Sequence, residues 1–320
     1  MILIISEPGD YSANCVIEWL KNFECNFLRI DISYEDFKQI EINISKFICE
    51  ISIKLKKGKL LNLNEVSFIF YRSGVFKKPL KHYNNSLLPQ SSFRLHHNLE
   101  YKTLTDFFYN ECSKKSIGYL SSSPLNKLLQ LQVAFEVGLS IPNTKVCSLK
   151  SSLHRFQNGQ HLLNKGIQEN IIYQSANSTY FQRVTEIDYH QLSEQFYSSM
   201  FQYQINKKFE VRSFFLDSAF YSIAIFDCFN PLKTDYRDGY DIQSYCPFQL
   251  PHSIETKLRN LMKKLRLISG SIDLICNEYN EFFFLEVNTQ GQYDWVLKYG
   301  NYNLHKKIAE FLYEKEKYHK

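Results

Sequence analysis

The 320-residue sequence lacks the features that would place it in several common classes. Its eight cysteines, at positions 15, 25, 49, 112, 147, 228, 246 and 276, include no CxxC pair, which argues against a zinc site and against a disulfide framework. No apolar run reaches the ~20 residues of a membrane helix. The initial segment MILIISEPGD has neither the basic lead nor the cleavage site of a signal peptide. We therefore predict a cytoplasmic protein with no membrane partner.

The charge balance is mild, with 38 Lys and Arg against 33 Asp and Glu and a formal net charge of +5. Such a balance suits an acidic ligand, for example a nucleotide or an acidic peptide. The basic residues form no concentrated stripe with interleaved aromatic residues, so we predict no nucleic-acid partner. No Ser–His or Cys–His nucleophile is apparent among the nine histidines, which we interpret as structural or surface residues.

Apolar periodicity predicts a fold of mixed α/β and α+β type. Residues 1–115 combine strands with helices such as Tyr11–Phe23, as in a small domain with an open sheet. Residues 116–195 contain the helix Pro124–Gly138 followed by short strands, and residues 196–320 contain longer strands and two further helices. The chain is long enough for these three segments to form separate subdomains.

The clearest chemical signal is a pair of carboxylates in a predicted hairpin. Glu286 and Asn288 alternate with apolar residues, so on a strand both side chains point to one face. If the turn is centred on Tyr279 and Asn280, Asp273 lies directly opposite Glu286. Facing carboxylates at ~5 Å repel each other unless a cation lies between them. Three hard oxygen ligands without imidazole or thiolate predict Mg²⁺.

The other face of this hairpin is expected to be apolar and to pack on a helix. Its predicted members are Ile272, Leu274, Phe283, Leu285 and Val287. The alternative is an ordinary hairpin with a solvated polar face, although paired acids between apolar neighbours are unusual without a counter-charge.

The Asp followed thirteen residues later by Glu-x-Asn resembles the magnesium site of ATP-grasp ligases. More narrowly, the segments NKLLQLQVAFEVGLSIPNT, NKKFEVRSFF, DYR and FLEVNTQGQYDWV resemble ATP-grasp peptide maturases of the grasp-with-SPASM type, relatives of the graspetide (microviridin-type) ligases. The resemblance implies an ATP-grasp fold of three subdomains, with ATP between the central and C-terminal ones. Residues 1–115 would be a pre-ATP-grasp domain, 116–195 the central, peptide-recognising subdomain, and 196–320 the C-terminal subdomain with the metal site.

The resemblance also implies the ligands and the residues that bind them. The cofactors would be ATP and two Mg²⁺ ions. Lys127 and Lys165 would contact phosphates, although a surface lysine is the simpler alternative for Lys165. Lys127 lies near the start of a helix, where a cation opposes the helix dipole. Adenine would be read by the strand that runs into the turn 206–208, largely through the backbone of Gln202, Tyr203, Gln204 and Ile205.

Glu210 and Arg212 alternate on the next strand and so share a face. In the family the acid binds ribose and the arginine binds phosphate or the acyl phosphate, and the alternative is a surface salt bridge of little value. Arg237 would face the transferred phosphoryl group, where a planar guanidinium binds two oxygens at once. Its alternative is a mobile surface loop.

Two positions depart from the pattern of related small-molecule ligases. The loop between Asn170 and Tyr180 has no glycine-rich stretch, so its phosphate contacts would come from Ser175, Asn177, Ser178 and Thr179. Ser271 stands where such ligases often carry a basic residue, which argues against a free amino acid as the substrate.

The resemblance therefore predicts a carboxylate ligase that phosphorylates Asp or Glu side chains of a ribosomal precursor peptide. Thr, Ser or Lys of the same peptide would then form an ω-ester or ω-amide macrocycle. The partners would be the leader and core of that peptide, with a SPASM-domain radical enzyme and a second copy of the chain as further candidates. Two alternatives stay open: an amino-acid ligase acting on a protein tail or a dipeptide, and a non-catalytic scaffold that binds nucleotide and leader peptide.

Overall fold

A computed structural model describes residues 1–32, 37–55, 58, 60–74, 90–121, 124–167, 172–174, 179–181, 185–187, 189, 191–227 and 243–318. The chain forms two compact units, one of residues Met1–Ser123 with Asn303–Lys320 and one of residues Pro124–Tyr302. The mixed α/β and α+β class is confirmed. The predicted division at residues 115 and 195 stays a prediction.

The first unit is built on a parallel sheet with the strand order β2-β1-β6-β7 and a separate antiparallel sheet with the order β3-β4-β5. Its first elements are β1 (Ile2–Ile5), α1 (Tyr11–Asn22), β2 (Phe27–Ile30), β3 (Phe37–Ile44), β4 (Cys49–Leu55), β5 (Leu60–Asn62), β6 (Phe68–Tyr71), α2 (Gln90–Ser113) and β7 (Ser116–Ile117). The strands β1 and β6 are buried along their whole length, as expected of parallel strands covered on both faces.

The second unit begins with a helix and a small antiparallel sheet with the order β12-β9-β13-β8, beside the hairpin β10-β11. The elements are α3 (Lys127–Glu136), β8 (Thr144–Leu149), α4 (Lys150–Gln157), β9 (Leu162–Lys165), β10 (Ile172–Gln174), β11 (Thr179–Phe181), β12 (Thr185–Glu186) and β13 (Gln195–Tyr203). Gly138, which has a φ of 79°, follows α3. The predicted glycine stop of this helix is confirmed.

A five-stranded antiparallel sheet with the order β16-β15-β14-β17-β18 forms the rest of the second unit. Its elements are β14 (Lys207–Leu216), β15 (Ala219–Asp227), β16 (Gln243–Phe248), α5 (His252–Lys264), β17 (Ser269–Asn277), β18 (Phe282–Asn288) and α6 (Asp294–Gly300). A Cβ added at Gly270 would meet Val287 Cγ1 at 2.7 Å and Met262 Cε at 3.3 Å. The helix α5 therefore lies close against one face of the sheet, as predicted.

The final helix, α7 (Leu304–Lys317), belongs to the first unit. Its ring contacts are with α1 and β6: Phe311 lies 5.4 Å from Phe68, and Tyr313 lies 5.5 Å from Phe23, between ring centroids. None of the helices in the described ranges is both long and apolar enough to cross a membrane.

Candidate active site

The two predicted carboxylates lie directly opposite each other. Asp273 on β17 is the cross-strand partner of Glu286 on β18, and such partners share a face of the sheet. Asn288 pairs with Ser271 two positions along, and its Nδ2 lies 3.4 Å from Oδ2 of Asp273. The predicted juxtaposition of the three side chains is confirmed, while metal binding by them stays a prediction.

The turn of this hairpin is not centred on Tyr279 and Asn280 as predicted. The backbone N–H of Asn277 donates to the carbonyl of Glu281 over 3.0 Å, so the loop has three residues rather than four. Asn280 closes it in the left-handed region, with a φ of 60°, which asparagine tolerates better than most residues. Near the turn, the strand register therefore differs by one position from the predicted one.

A β-bulge on β18 restores the predicted register at the site. Leu274 pairs with Phe284, whereas the preceding residue Asp273 pairs with Glu286. Leu285 is thus an additional residue on one strand, as in any bulge. Two departures from the predicted hairpin cancel, and the carboxylates face each other because of the bulge.

The bulge also corrects the predicted apolar face. Phe283 pairs with Ile275 and so lies on the face of Asp273, and Leu285, the bulged residue, is only partly buried. Continuous alternation through the strand was the wrong assumption, because a bulge breaks it. The buried apolar face consists of Ile272, Leu274, Cys276, Phe282, Phe284 and Val287.

Arg212 forms a two-pronged ion pair with Asp273. Its Nε lies 3.0 Å from Oδ1 and its Nη2 lies 3.2 Å from Oδ2, because β14 and β17 are neighbours and the two residues are cross-strand partners. Arg212 is only 7% exposed. Arg212 thus forms a salt bridge, as the alternative interpretation of the sequence proposed, but this salt bridge is buried and not on the surface. A buried charge without a partner would be costly.

The ionised form of the Asp273 carboxyl is disfavoured by its surroundings. Burial raises its pKa to about 6; the guanidinium of Arg212 opposes this rise, and the carboxylates of Glu286 and Glu210 add to it. Like charges and desolvation both favour the protonated acid. A cation bound beside Asp273 would relieve both effects.

Lys127 reaches the second carboxylate from the start of α3. Its Nζ lies 2.9 Å from Oε2 of Glu286. The side chain of Asn126 caps the helix by accepting from the backbone N–H groups of Leu128 and Leu129. Lys127 is therefore the first residue of α3, directly after the cap, and the cap fixes its position.

Lys165, the last residue of β9, belongs to the same group of charges. Burial lowers its pKa, Glu286, Glu210 and Asp273 act in the opposite direction, and Lys127 adds to the lowering. The small sheet therefore presents an ammonium to the carboxylates of the five-stranded sheet. The predicted contact of the two lysines with phosphates stays a prediction.

Lys207 is a member of the site that the sequence did not reveal. Its Nζ lies 2.6 Å from Oε1 of Glu210, and its side chain is almost fully buried. The prediction placed Lys207 and Lys208 in a turn, but β14 already begins at Lys207. Regular alternation would place residues three apart on opposite faces of a strand. The pairing of β14 with β17 shifts register between Lys207 and Phe209, and apolar periodicity gives no signal for such an irregularity.

The first two residues of the predicted adenine segment have structural partners for their side chains, and the backbone N–H of Gln204 donates to the carbonyl of His161. The Gln202 side chain, 2% exposed, donates to the hydroxyl of Thr144, and the Tyr203 hydroxyl donates to the carbonyl of Phe156. β13 ends at Tyr203, and residues 204–206 connect it to β14. The side chains of Gln202 and Tyr203 thus stabilise the small sheet, and Gln204 and Ile205 lie in the connection.

Ser271 and Arg237 are the remaining positions that the sequence singled out. Ser271 is buried, and its hydroxyl donates to the carbonyl of Gln292, so this position ties down the segment after β18 instead of presenting a base. Arg237 lies outside the described residues, as do Ser175, Asn177 and Ser178.

We call Lys127, Lys165, Lys207, Glu210, Arg212, Asp273 and Glu286 the charged cluster. By formal charge it has four cations against three anions, an excess that suits a phosphate ligand. Within the described part of the chain, no three His, Cys, Asp or Glu side chains converge on one point. The donors available for a metal are thus two carboxylates and the amide of Asn288, which presents Oδ1 if it turns by 180°. This oxygen-only set fits Mg²⁺.

No protein-family model and no curated protein matches the sequence. Solved structures match over nearly the whole chain. An RiPP-associated ATP-grasp ligase from Chryseobacterium gregarium, in complex with ADP and a leader and core peptide, has a TM-score of 0.77 and 23% identity, covering 98% of this chain and 96% of that one. The macrocyclase MdnC of Microcystis aeruginosa MRC, bound with precursor peptide MdnA, has a TM-score of 0.74 and 24% identity, covering 97% and 98%.

The ligase PsnB, in complex with a phosphomimetic variant of its minimal precursor, Mg and ADP, has a TM-score of 0.69 and 13% identity, covering 98% of each chain. The agreement over whole chains shows that this protein has the ATP-grasp fold. The fold prediction is confirmed.

Proposed function

We propose that the chain is an ADP-forming ligase that activates Asp or Glu side chains of a ribosomal precursor peptide. Thr, Ser or Lys of the same peptide would then close an ω-ester or ω-amide ring. The observation that carries the proposal is the pairing of Asp273 with Glu286 inside a cluster with an excess of cations. Such an arrangement can hold a metal and a triphosphate together, and phosphoryl transfer needs mainly positioning and charge neutralisation.

The donor set for magnesium is Asp273, Glu286 and Asn288. Mg²⁺ bound there would neutralise phosphate oxygens of ATP and orient the terminal phosphate. Arg212 and Lys127 each form an ion pair with one of these carboxylates. The second ion that the family resemblance implies remains part of the proposal.

The nucleotide would be held by residues that surround this donor set. Lys165 and Lys127 contact the phosphates, and Glu210, oriented by Lys207, accepts hydrogen bonds from ribose hydroxyls. Adenine is read by the backbone of Gln204 and Ile205, which connect β13 to β14. Arg212 and Arg237 stabilise the phosphoryl group in transfer, where a guanidinium binds two oxygens.

The reaction has two steps. A carboxylate oxygen of the substrate attacks the γ-phosphorus of ATP, and the bond from that phosphorus to the β–γ bridging oxygen breaks. The products of this step are ADP and an acyl phosphate on the substrate. A hydroxyl or amine then attacks the acyl carbon, phosphate departs, and the nucleophile loses its proton. Each ring formed removes one water from the peptide.

The substrate class rests on the resemblance and on the likeness to peptide-bound ligases. The C. gregarium ligase binds a leader and core peptide, and MdnC binds a precursor peptide. The proposal has finer parts, which rest on the family resemblance alone: the grasp-with-SPASM type, recognition of the leader by residues 116–195 and a radical-enzyme partner. A homodimer is a further candidate.

The test is incubation with ATP, Mg²⁺ and a synthetic Thr- and Glu-rich peptide encoded next to the gene. We expect ADP release together with the loss of one water per ring by mass spectrometry. ADP release with free glutamate or alanine, without peptide dehydration, would instead identify an amino-acid ligase. Nucleotide binding without turnover on any peptide would identify a scaffold.

A further inference from the structure

The position of Glu286 depends on one additional residue in its strand. Near the turn, β18 follows a register in which Leu274 pairs with Phe284. If that register continued, Leu285 would face Asp273, and Glu286 would face Ile272 on the apolar side. A one-residue shift moves every side chain to the other face. The bulge at Leu285 is therefore what brings Glu286 to the charged cluster.

Two hydrogen bonds from outside the sheet hold β18 on either side of the bulge. The backbone N–H of Phe284 donates to the carbonyl of Ser140 over 2.8 Å. The backbone N–H of Val287 donates to Oε1 of Gln130 over 2.7 Å. β18 is the last strand of its sheet, so its outward N–H groups would otherwise lack a strand partner.

Gln130 is well placed for this contact and is satisfied at both ends of its amide. It is 3% exposed, and its Nε2 donates to the carbonyl of Leu125 over 3.2 Å. It lies three residues after Lys127 on α3, so one helix supplies both the backbone contact at Val287 and the ion pair of Glu286. A buried amide with two fixed partners leaves little freedom to the strand that it contacts.

We propose that Gln130 is a positioning residue for the metal site: its side chain holds the bulged register of β18, so that Glu286 stays opposite Asp273. The inference rests on the proposed function, because it assigns Gln130 a purpose only if Glu286 is a ligand. Groups that orient metal ligands commonly change metal affinity about 10–100-fold when removed.

The test compares three variants of the full chain. Gln130→Met removes both hydrogen bonds at similar volume. Gln130→Glu keeps the acceptor for Val287 N–H and loses the donor to Leu125. The matched control is Gln132→Met on the exposed side of α3, where Nε2 of the glutamine donates to Oε1 of Glu136 over 3.3 Å.

Two readouts are needed, neither of which is catalytic activity. Hydrogen–deuterium exchange of the metal-free protein reports on the amides of β18, with α5 as the internal reference for global opening. The midpoint temperature of unfolding, measured at increasing Mg²⁺ concentration and a fixed ADP concentration, reports on the metal site. We expect Gln130→Met to speed exchange selectively in β18 and to raise the half-effective Mg²⁺ concentration about tenfold or more. Gln130→Glu recovers most of the β18 protection, and Gln132→Met behaves as the parent chain.

Unchanged exchange in β18 for Gln130→Met would overturn the inference. The inference would also be overturned if Gln130→Met exchanged faster in α5 and β18 alike and kept the half-effective Mg²⁺ concentration of the parent chain. Gln130 would then contribute to global stability alone. If Gln130→Met does not fold, Gln130→Glu becomes the decisive variant, because it keeps the acceptor for Val287 N–H. A folded Gln130→Glu chain whose β18 amides exchange without protection would overturn the inference. A parent chain that ignores Mg²⁺ and ADP altogether would refute the proposed function as well, whatever the exchange pattern.

Discussion

The two faces of the five-stranded sheet are made by alternate residues of the same strands, yet their energetics differ. One face carries Arg212, Asp273 and Glu286. The other carries Ile272, Leu274 and Val287, all of them buried. Adjacent residues in the chain thus have different roles. Those on the apolar face stabilise the sheet, and those on the charged face form the proposed binding site.

The apolar face contributes stability, because burial of such side chains is favourable by about 1.5–3 kcal/mol each. On the charged face, burial and neighbouring carboxylates raise the pKa of Asp273 to about 6, so the ionised acid is held at a cost. Sites that must bind a ligand often keep such unfavourable interactions. Substitutions on the two faces should therefore affect different measurements.

The largest expected effect is that of Asp273→Ala on activity. Loss of a metal ligand should lower peptide-stimulated ADP release by about 10³-fold, since a bound metal supplies several kcal/mol of transition-state stabilisation. Circular dichroism should show a folded chain with a lower unfolding temperature, because the buried Arg212 loses its partner. Activity within tenfold of the parent chain would contradict the assignment of Asp273 as a ligand.

The next residue should show the opposite pattern. Leu274→Ala creates a cavity on the apolar face, where Leu274 is 1% exposed, and should lower the free energy of unfolding by about 2–5 kcal/mol. The half-effective Mg²⁺ concentration of the folded fraction should stay unchanged. Leu129→Ala, at an exposed leucine of α3, is the control and should cost less than about 1 kcal/mol. Equal losses at both leucines would mean that this face is not a core.

A pH titration tests the charged face directly. The pKa of Asp273 in the folded, metal-free protein is about 6 against an ordinary value of 3.8. A raised pKa means that the folded state favours the protonated acid. The contribution of this group to the free energy of unfolding is therefore fully present below pH 3.8 and is lost as pH rises through the folded-state pKa of about 6. The expected loss is at most about 3 kcal/mol across that window, measured as the difference between the parent chain and Asp273→Asn.

Mg²⁺ needs the ionised acid, so the same titration has a second expected result. The increase in unfolding temperature caused by Mg²⁺ and ADP should shrink as pH falls below about 6, because protons then compete with the metal. A metal effect that is constant from pH 5 to pH 8 (a range of roughly one unit or more on either side of the folded pKa) would contradict the role of Asp273.

The smallest expected effect compares two lysines that each form one ion pair with a glutamate. Lys127→Met removes the partner of Glu286 and a proposed phosphate contact, so KM for ATP should rise about tenfold. Lys264 pairs with Glu136 over 2.9 Å at a half-exposed site, where an ion pair is worth about 0–1 kcal/mol. Lys264→Met should therefore leave both KM and stability nearly unchanged. A similar shift in KM for both variants would indicate a general charge effect.

The pairing of Asp273 with Glu286 could be predicted because alternation and turn position both depend on local sequence. The prediction nevertheless reached the correct pair through a wrong turn, since the three-residue loop at Asn280 and the bulge at Leu285 shift the register by equal and opposite steps. A bulge has no signal in apolar periodicity when the residues around it are all apolar. This is why Phe283 was assigned to the wrong face.

Contacts between distant segments were beyond the sequence. Alternation placed Glu210 and Arg212 on one face, but the ion pair of Arg212 with Asp273 requires that β14 lie beside β17, which pairing of non-consecutive strands decides. The contact of Gln130 with Val287 joins residues 157 positions apart. A glutamine on a helix carries no local mark of such a partner.

The path of the chain has a consequence for synthesis on the ribosome. The apolar residues of α7, among them Leu304, Ile308 and Leu312, are fully buried in the first unit. Nascent residues 1–123 must therefore wait for α7, which is translated after the whole second unit, before their core can be completed. The contiguous second unit can close earlier. The usual order, in which the N-terminal part folds first during translation, is reversed here, and the early segment is the one that needs protection from aggregation.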